Sequence, residues 1–322
     1  MAKKTVASHS YEAILAAHQK RKTAGLSFVP EDTNSESFKA LRLARDQGTL
    51  SLVLGAGCSV PFALPTWDSL VNETVSALLG IEQKSQIARH LSNTSLSPLV
   101  LIRFLKAHDL FDQHFFSQLK KRLYQNYDAS AIVPYFDSVV GLIGGEDGRP
   151  PPQSVLTYNF DNILQQRIER KGGSTRSIYD EATYRLRLSD FPIYHPHGYL
   201  PYEVNSHNSS VVVLSEEHYH NIYNNPYNWA NLVQLTHFCQ NTCLFIGISF
   251  RDPNVRRLLD LANDRMQTNG VRHFAVMKRQ HAARKKVSTF VDYLTQINLR
   301  LLGVEVVWVN DYREIASVLD TI

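Results

Sequence analysis

Apolar positions along the chain fall into two recurring patterns. Short, nearly uninterrupted apolar runs read as strands at LSLVL (50–54), SVLTYN (154–159), FPIYH (191–195), VVVLS (211–215), CLFIGIS (243–249), 273–277 and 304–309. Between them, apolar residues recur at helical spacing over 36–47, 160–171, 216–223, 228–239, 253–267, 285–301 and 312–321. A further helix follows Pro65, with Thr66 as its expected N-cap and Leu70, Val71, Val75, Leu78 and Leu79 on one face. Unbroken apolar strands, rather than alternating ones, are buried on both faces. Strands of this kind alternating with helices predict a parallel sheet covered on each side, a doubly wound α/β fold. Ligands of such sheets sit at the carboxyl ends of the strands, so chemistry is sought just after each apolar run.

Two stretches depart from the alternation. From about 82 to 143 the spacing is helical throughout, as in Leu99/Ile102/Leu105 and Leu119/Leu123/Tyr127, and the Gly- and Pro-rich GGEDGRPPPQ (144–153) closes it. This predicts an all-helical insertion over about 82–150. Ahead of the first strand, Tyr11, Ile14, Leu15 and His18 mark a helix over 10–23, and a polar break at 30–37 precedes the helix at 36–47. The predicted division is an N-terminal helical extension, 1–47, and a main domain, 48–322.

Composition narrows the class. With 43% hydrophobic and 20% charged residues, and 15 Tyr and 15 Phe, a largely disordered chain is excluded. A net charge of +4 does not point to nucleic acid as the partner. KRQHAARKK (278–286) concentrates five Lys/Arg, which reads first as a solvated helix entrance and second as an interaction face. Three cysteines, Cys58, Cys239 and Cys243, make no disulfide framework and suit a reducing compartment. No secretory h-region and no membrane-length apolar run stand out, so the expected location is cytoplasmic.

Three strand ends carry candidate chemistry. VLGAGCS puts Gly55 and Gly57 in a turn where a left-handed backbone would let amides approach an anion. Val60 and Pro61 keep that loop from running straight into a helix, which disfavours a dehydrogenase fingerprint. TYNFD (157–161) places Asn159 at a strand end, where its amide can enter the crevice, and Asp161 where it can cap the next helix. YHPHGYLP (194–201) presents His197 beside Gly198 in a stiff turn. An isolated loop histidine is usually structural. Here Asn159 and His197 follow two different strands of one sheet and converge.

Taken together, GAGCSVPFALPTW, TYNFD, HPHGYLP and FIGISFRDPNVRRLL, spread over roughly 50–310, resemble the sirtuin family in motif and in order. The continuation of the first and last motifs looks most like the bacterial antiphage-defence branch. The resemblance implies a Rossmann-like sheet and NAD as substrate, hydrolysed at the nicotinamide–ribose bond, with no metal. It implies catalytic roles for Asn159, which would orient the ribose hydroxyls and water, and for His197 as general base, an imidazole suiting proton transfer near neutral pH. It assigns Gly55, Ala56, Gly57 and Ser59 to the pyrophosphate, Asp161 to the ribose or to ordering the loop, and Gly247 and Ser249 to the adenosine side. Asp252, before Pro253, reads as a helix N-cap, and Trp67 as core packing rather than a nicotinamide stacker. One departure matters. Deacylase sirtuins carry a zinc ribbon of two Cys pairs, which three cysteines cannot build, so the helical insertion stands in its place. A protein deacylase and a non-catalytic NAD- or ADP-ribose-binding module are the alternatives. The resemblance also implies a homo-oligomer, and a separately encoded HerA-like ATPase as a partner.

Overall fold

The computed structural model describes residues 30–80, 98–108, 113–185, 190–203, 212–214, 217–218, 224–266, 273–280 and 285–322. Among the described residues seven strands pair in parallel: β1 (Leu50–Leu54), β2 (Val155–Thr157), β3 (Thr175–Ile178), β4 (Phe191–Tyr194), β5 (Thr242–Ile246), β6 (His273–Lys278) and β7 (Val304–Val309). Their spatial order is β3-β4-β2-β1-β5-β6-β7. The chain thus starts at mid-sheet, builds to one side, and returns past β1 to build the other. Register follows burial: Leu52, Val53 and Leu54 of β1 lie opposite Val155, Leu156 and Thr157 on one side and Leu244, Phe245 and Ile246 on the other. The central strands are buried on both faces, as continuous apolar runs require.

Helices cover both faces. On one lie α1 (Asn34–Asp46), α2 (Trp67–Leu78), α3 (Pro98–Ala107), α4 (Gln113–Leu123), α5 (Pro134–Gly144), α6 (Ile163–Arg170) and α11 (Glu314–Thr321). They bury one set of alternate strand residues, including Leu52, Leu54, Val155, Ile193, Leu244 and Ile246. On the other, α8 (Trp229–Gln240), α9 (Pro253–Met266) and α10 (Lys285–Arg300) bury Val53, Leu156, Phe245, Ala275 and Val306. A short α7 (Glu181–Arg185) follows β3. Within the span 82–150 every described element is a helix. There α4 and α3 pack on α2, and α5 packs on α11.

α1 is joined to the sheet rather than standing off it. Asn34 exchanges two hydrogen bonds of 2.9 Å with the Trp308 backbone, and α1 packs on β1, β5 and β7. Its Arg45, 1% exposed, donates to both carboxylate oxygens of Asp147 (2.7 and 2.6 Å) and to the Pro150 carbonyl (3.0 Å). A fully covered guanidinium is tolerable only with its donors engaged, and this fork pins the loop that ends the helical segment. The start of the basic cluster also folds back: Lys278 lies 3.8 Å from Asp311, and Arg279 stacks on the Trp308 ring.

Three expectations are corrected or fall outside the described residues. The strand expected at VVVLS is absent over its described residues: 212–214 are irregular, Val213 N–H donates to the His197 carbonyl, and Val212 and Leu214 pack into the core instead of joining the sheet. β3 escaped the pattern because three of its four residues, Thr175, Arg176 and Ser177, are polar, which an edge strand tolerates. The helices expected at 10–23 and, almost wholly, 216–223 lie outside the described residues.

The turns leaving β1 and β5 lock together through glycine. Gly55 is extended (φ −125°, ψ −179°), and Gly57 is not left-handed either, so the expectation of left-handed backbone fails for both. They are glycine because Gly247 lies against them: a Cβ on Gly55 would sit 2.6 Å from the Gly247 carbonyl oxygen, and one on Gly57 2.8 Å from the Gly247 Cα. Gly247 is left-handed (φ +69°), and a Cβ there would meet the Cys58 nitrogen at 2.6 Å. Gly247→Ala therefore combines an unfavourable backbone with a clash against main chain. It should cost on the order of 3 kcal/mol or more, read as a drop in thermal midpoint or loss of folded protein. Gly148→Ala, left-handed at φ +76° with nothing within 4 Å of the added carbon, should cost only about 1 kcal/mol. Equal losses from the two would contradict the interlock.

Candidate active site

The loop after β1 consists of two short 3₁₀ turns, Ala56–Cys58 and Val60–Phe62, with Pro61 inside the second. Its glycine amides serve the protein itself: Gly55 N–H donates to Ile246 O and Gly57 N–H to Gly247 O, each at 3.0 Å. The Cys58 and Ser59 N–H groups close the first turn. The amide cradle expected of Gly55 and Gly57 is therefore not available, and the Ala56 N–H, like that of Val60, has no internal acceptor among the described residues. Ala56 lines a small, partly open cavity with Ser59, Pro65, Trp67, Tyr158, Asn159 and Asp161. Trp67 also packs on the core, so it is both core packing and cavity wall.

A directed chain of hydrogen bonds forms one wall. The Asn159 side-chain amide donates to Gly55 O (3.1 Å) and to Ser59 Oγ (2.8 Å), and Ser59 Oγ donates in turn to Asp161 Oδ2 at 2.7 Å. The other Asp161 oxygen accepts from Ile163 N–H (3.1 Å) at the start of α6, so the expected capping bond is present alongside the contact with the loop. Burial raises the Asp161 carboxyl above its ordinary 3.8, against the lowering pull of the Ser59 and Ile163 bonds. With both amide hydrogens of Asn159 used, its Oδ1 is buried and has no partner among the described residues. A buried carboxamide oxygen left unpaired costs stability unless a ligand or water supplies the donor.

His195 was not singled out by its sequence, yet it supports Asn159. The Gln165 amide donates to both Ser177 Oγ (3.0 Å) and His195 Nε2 (2.8 Å), so the ring is neutral and its Nδ1–H donates to the Asn159 carbonyl at 3.1 Å. The HPH spacing puts the two histidines on different duties. His195 is fully buried behind the strand end, and His197 lies at the turn where Gly198 is left-handed.

His197 does not line the described cavity. Tyr158 does, and its ring meets the His197 imidazole edge-on, 4.8 Å between centroids, while its hydroxyl donates to Gln234 Oε1 (2.7 Å) on α8. On another side His197 Nε2 lies 3.2 Å from Asp252 Oδ2. Asp252 Oδ1 caps α9, accepting from Asn254 N–H (2.7 Å) and Val255 N–H (3.0 Å), so the N-cap expected there is present, together with a second contact that the D-P-N sequence did not signal. The structure thus brings Ala56, Ser59, Asn159 and Asp161 into one wall. His197 stands next to it through Tyr158. Gly247 holds the loop, and Ser249 is exposed beyond β5, neither lining the cavity.

The cysteines do other work. Cys58 Sγ donates to Ile246 O (3.2 Å), and burial pushes its thiol up to about 12; Cys243 is buried and likewise raised. Among the described residues no three His, Cys, Asp or Glu side chains cluster as a metal site, and no helix is long and apolar enough to cross a membrane.

Buried neutral histidines set an acid limit on the fold. Burial lowers His195 and His273 from 6.5 to about 4, against the raising effect of one backbone bond each, and lowers His237 as well. The unfolded chain therefore binds more protons than the folded one between these values. Stability is full above 6.5 and is lost as pH falls from 6.5 to about 4, on the order of 3 kcal/mol for each of His195 and His273. Asp161, raised rather than lowered, runs the opposite way. Denaturant midpoints measured across this window should fall steadily toward acid. A flat profile would show that the rings are not buried neutral.

With this geometry in view, residues 153–302 match the family model described as a SIR2-like domain, a span that contains Asn159, Asp161, His197, Gly247, Ser249 and Asp252. Two relatives each bear the name NAD(+) hydrolase ThsA. The one from Bacillus cereus (strain MSX-D12) is 22% identical over 183 residues, 54% of this chain and 37% of the relative. The one from Enterococcus faecium is 21% identical over 301 residues, 88% of this chain and 57% of the relative. The chain thus spans less than two thirds of the length of either. Residues 153–302 are thus similar to a SIR2-like domain, and the parallel sheet around them agrees with that match.

Proposed function

We propose that the protein is an NAD hydrolase that cleaves the nicotinamide–ribose bond to give nicotinamide and ADP-ribose. The observation that carries this reading is the Asn159 carboxamide. Its nitrogen is tied to Gly55 and Ser59, and its oxygen is left buried and unpartnered at the wall of the cavity. An acceptor held in this way suits a ribose hydroxyl or a water molecule. The names of the two relatives support NAD as the substrate.

In this reading the C–N bond to nicotinamide breaks with its electron pair, neutralising the pyridinium as it leaves and developing positive charge on the ribose. Water adds its oxygen to the anomeric carbon and gives up a proton, which His197 accepts directly or through a ribose hydroxyl. Asn159 orients that hydroxyl or the water, which favours the transition state over bound NAD. Asp161 acts through Ser59, holding the hydroxyl that in turn holds Asn159. Ala56, with its amide unspent, and Ser59 are the loop groups placed for polar contact with the dinucleotide. Gly55, Gly57 and Gly247 contribute by letting the two turns approach. Ser249, exposed beyond β5, is assigned to the adenosine side on the sirtuin resemblance alone. The same reading makes residues 48–322 the catalytic unit and 1–47 its extension. It includes a homo-oligomer acting on cytoplasmic NAD in antiphage defence, with a HerA-like ATPase as partner.

The test is nicotinamide release from NAD by the full chain beside Asn159→Ala and His197→Ala. Turnover should fall by roughly a hundredfold or more in both, with thermal midpoints showing that each variant still folds. Release that depends on an acetylated lysine peptide would make the protein a deacylase. NAD binding without release under any condition would make it a binding module.

A further inference from the structure

Asp252 has two oxygens with two duties. Oδ1 caps α9 through the Asn254 and Val255 amides, and Oδ2 lies 3.2 Å from His197 Nε2. Both side chains are largely shielded, at 10% and 18% exposure, so the charge is weakly screened where it meets the ring. The contact is close by distance without the alignment of a full hydrogen bond, as active-site contacts without ligand often are. It joins the turn after β4 to the turn after β5. Tyr158 limits the ring on another side. A carboxylate can only accept. An imidazole nitrogen against it must therefore carry the proton, and in the neutral ring the lone pair then resides on Nδ1.

We propose that Asp252 is a positioning residue that holds His197 in the Nε2–H tautomer, making Nδ1 the nitrogen that accepts a proton. The inference deepens the hydrolase reading and rests on it for its kinetic consequence, though not for the state of the ring. Helix capping and ring orientation are thereby coupled: the bonds that start α9 also fix where the carboxylate stands against His197.

Asp252→Asn separates the two duties. Asparagine caps a helix as well as aspartate does, so its oxygen keeps the Asn254 and Val255 bonds. Its NH₂ then faces His197 Nε2 and donates, which requires a lone pair on Nε2 and moves the proton to Nδ1. The measurement is the ¹⁵N spectrum of the full chain labelled at the histidine rings, with the His197 signals identified by their loss in His197→Ala. Nicotinamide release is measured beside it. Wild type should show Nε2 protonated. Asp252→Asn should show the reversed pattern at an unchanged thermal midpoint, with kcat down by roughly a hundredfold and KM little altered. Asp252→Ala, which also loses the cap, should lower the thermal midpoint. His197 shifts identical in wild type and Asp252→Asn would overturn the proposal, as would lost turnover without a change of tautomer. Reversed shifts in a protein that releases no nicotinamide even as wild type would uphold the positioning role and remove the hydrolase reading instead.

Discussion

The close approach of two turns, Gly55–Gly57 after β1 and Gly247 after β5, is the contact on which the rest of the site depends. No side chain intervenes there, and the two main chains bond directly through Gly57 N–H and Gly247 O. Cys58 adds to the joint by donating its thiol to the Ile246 carbonyl. With its position set from β5, the loop presents the Gly55 carbonyl and the Ser59 hydroxyl to Asn159. A parallel sheet favours such a junction, because adjacent parallel strands end on the same side and their loops must share the space above them.

From that joint a polar chain runs inward, from Asn159 to Ser59 to Asp161 and on to the first turn of α6. Burying a carboxylate is costly, and the cost is visible in the raised Asp161 carboxyl. The chain offsets this by giving each Asp161 oxygen a donor. His195, fully buried, fixes the Asn159 backbone from behind through a tautomer that the Gln165 amide dictates. Each catalytic candidate is thus held by a partner on a different element: Asn159 from β1 and β4, and His197 from α8, by way of Tyr158, and from α9. A site assembled in this way is rigid as long as the sheet is, which is the condition for orienting a reacting water.

The helices between α2 and β2 follow a different logic. α3 and α4 build outward on α2, whose first residue, Trp67, is a wall of the cavity. Leu123, at the end of α4, reaches the same cavity. Among its described residues the segment contributes the apolar Leu123 to the cavity wall and no polar group. The buried Arg45–Asp147 fork then returns the chain to β2 at a fixed place against α1.

The sequence by itself determined the class of fold, the strands at the centre of the sheet, and the placement of Asn159, Asp161 and His197 just past strand ends. These follow from local rules: apolar runs are legible where a strand is buried on both faces, and glycine, proline and capping residues mark the turns. The sequence did not reveal the polar edge strand β3, which lacks the apolar signature because one side faces no partner strand. It also misassigned VVVLS, whose Val212 and Leu214 are apolar because they pack in the core without pairing in the sheet. Only the tertiary structure decided what the glycines are for. A glycine required by a neighbour 190 positions away, as Gly57 is by Gly247, looks the same in sequence as one required by its own torsion angles. The same holds for Asp252 and His195, whose roles arise from contacts between elements distant in sequence, which local spacing does not encode.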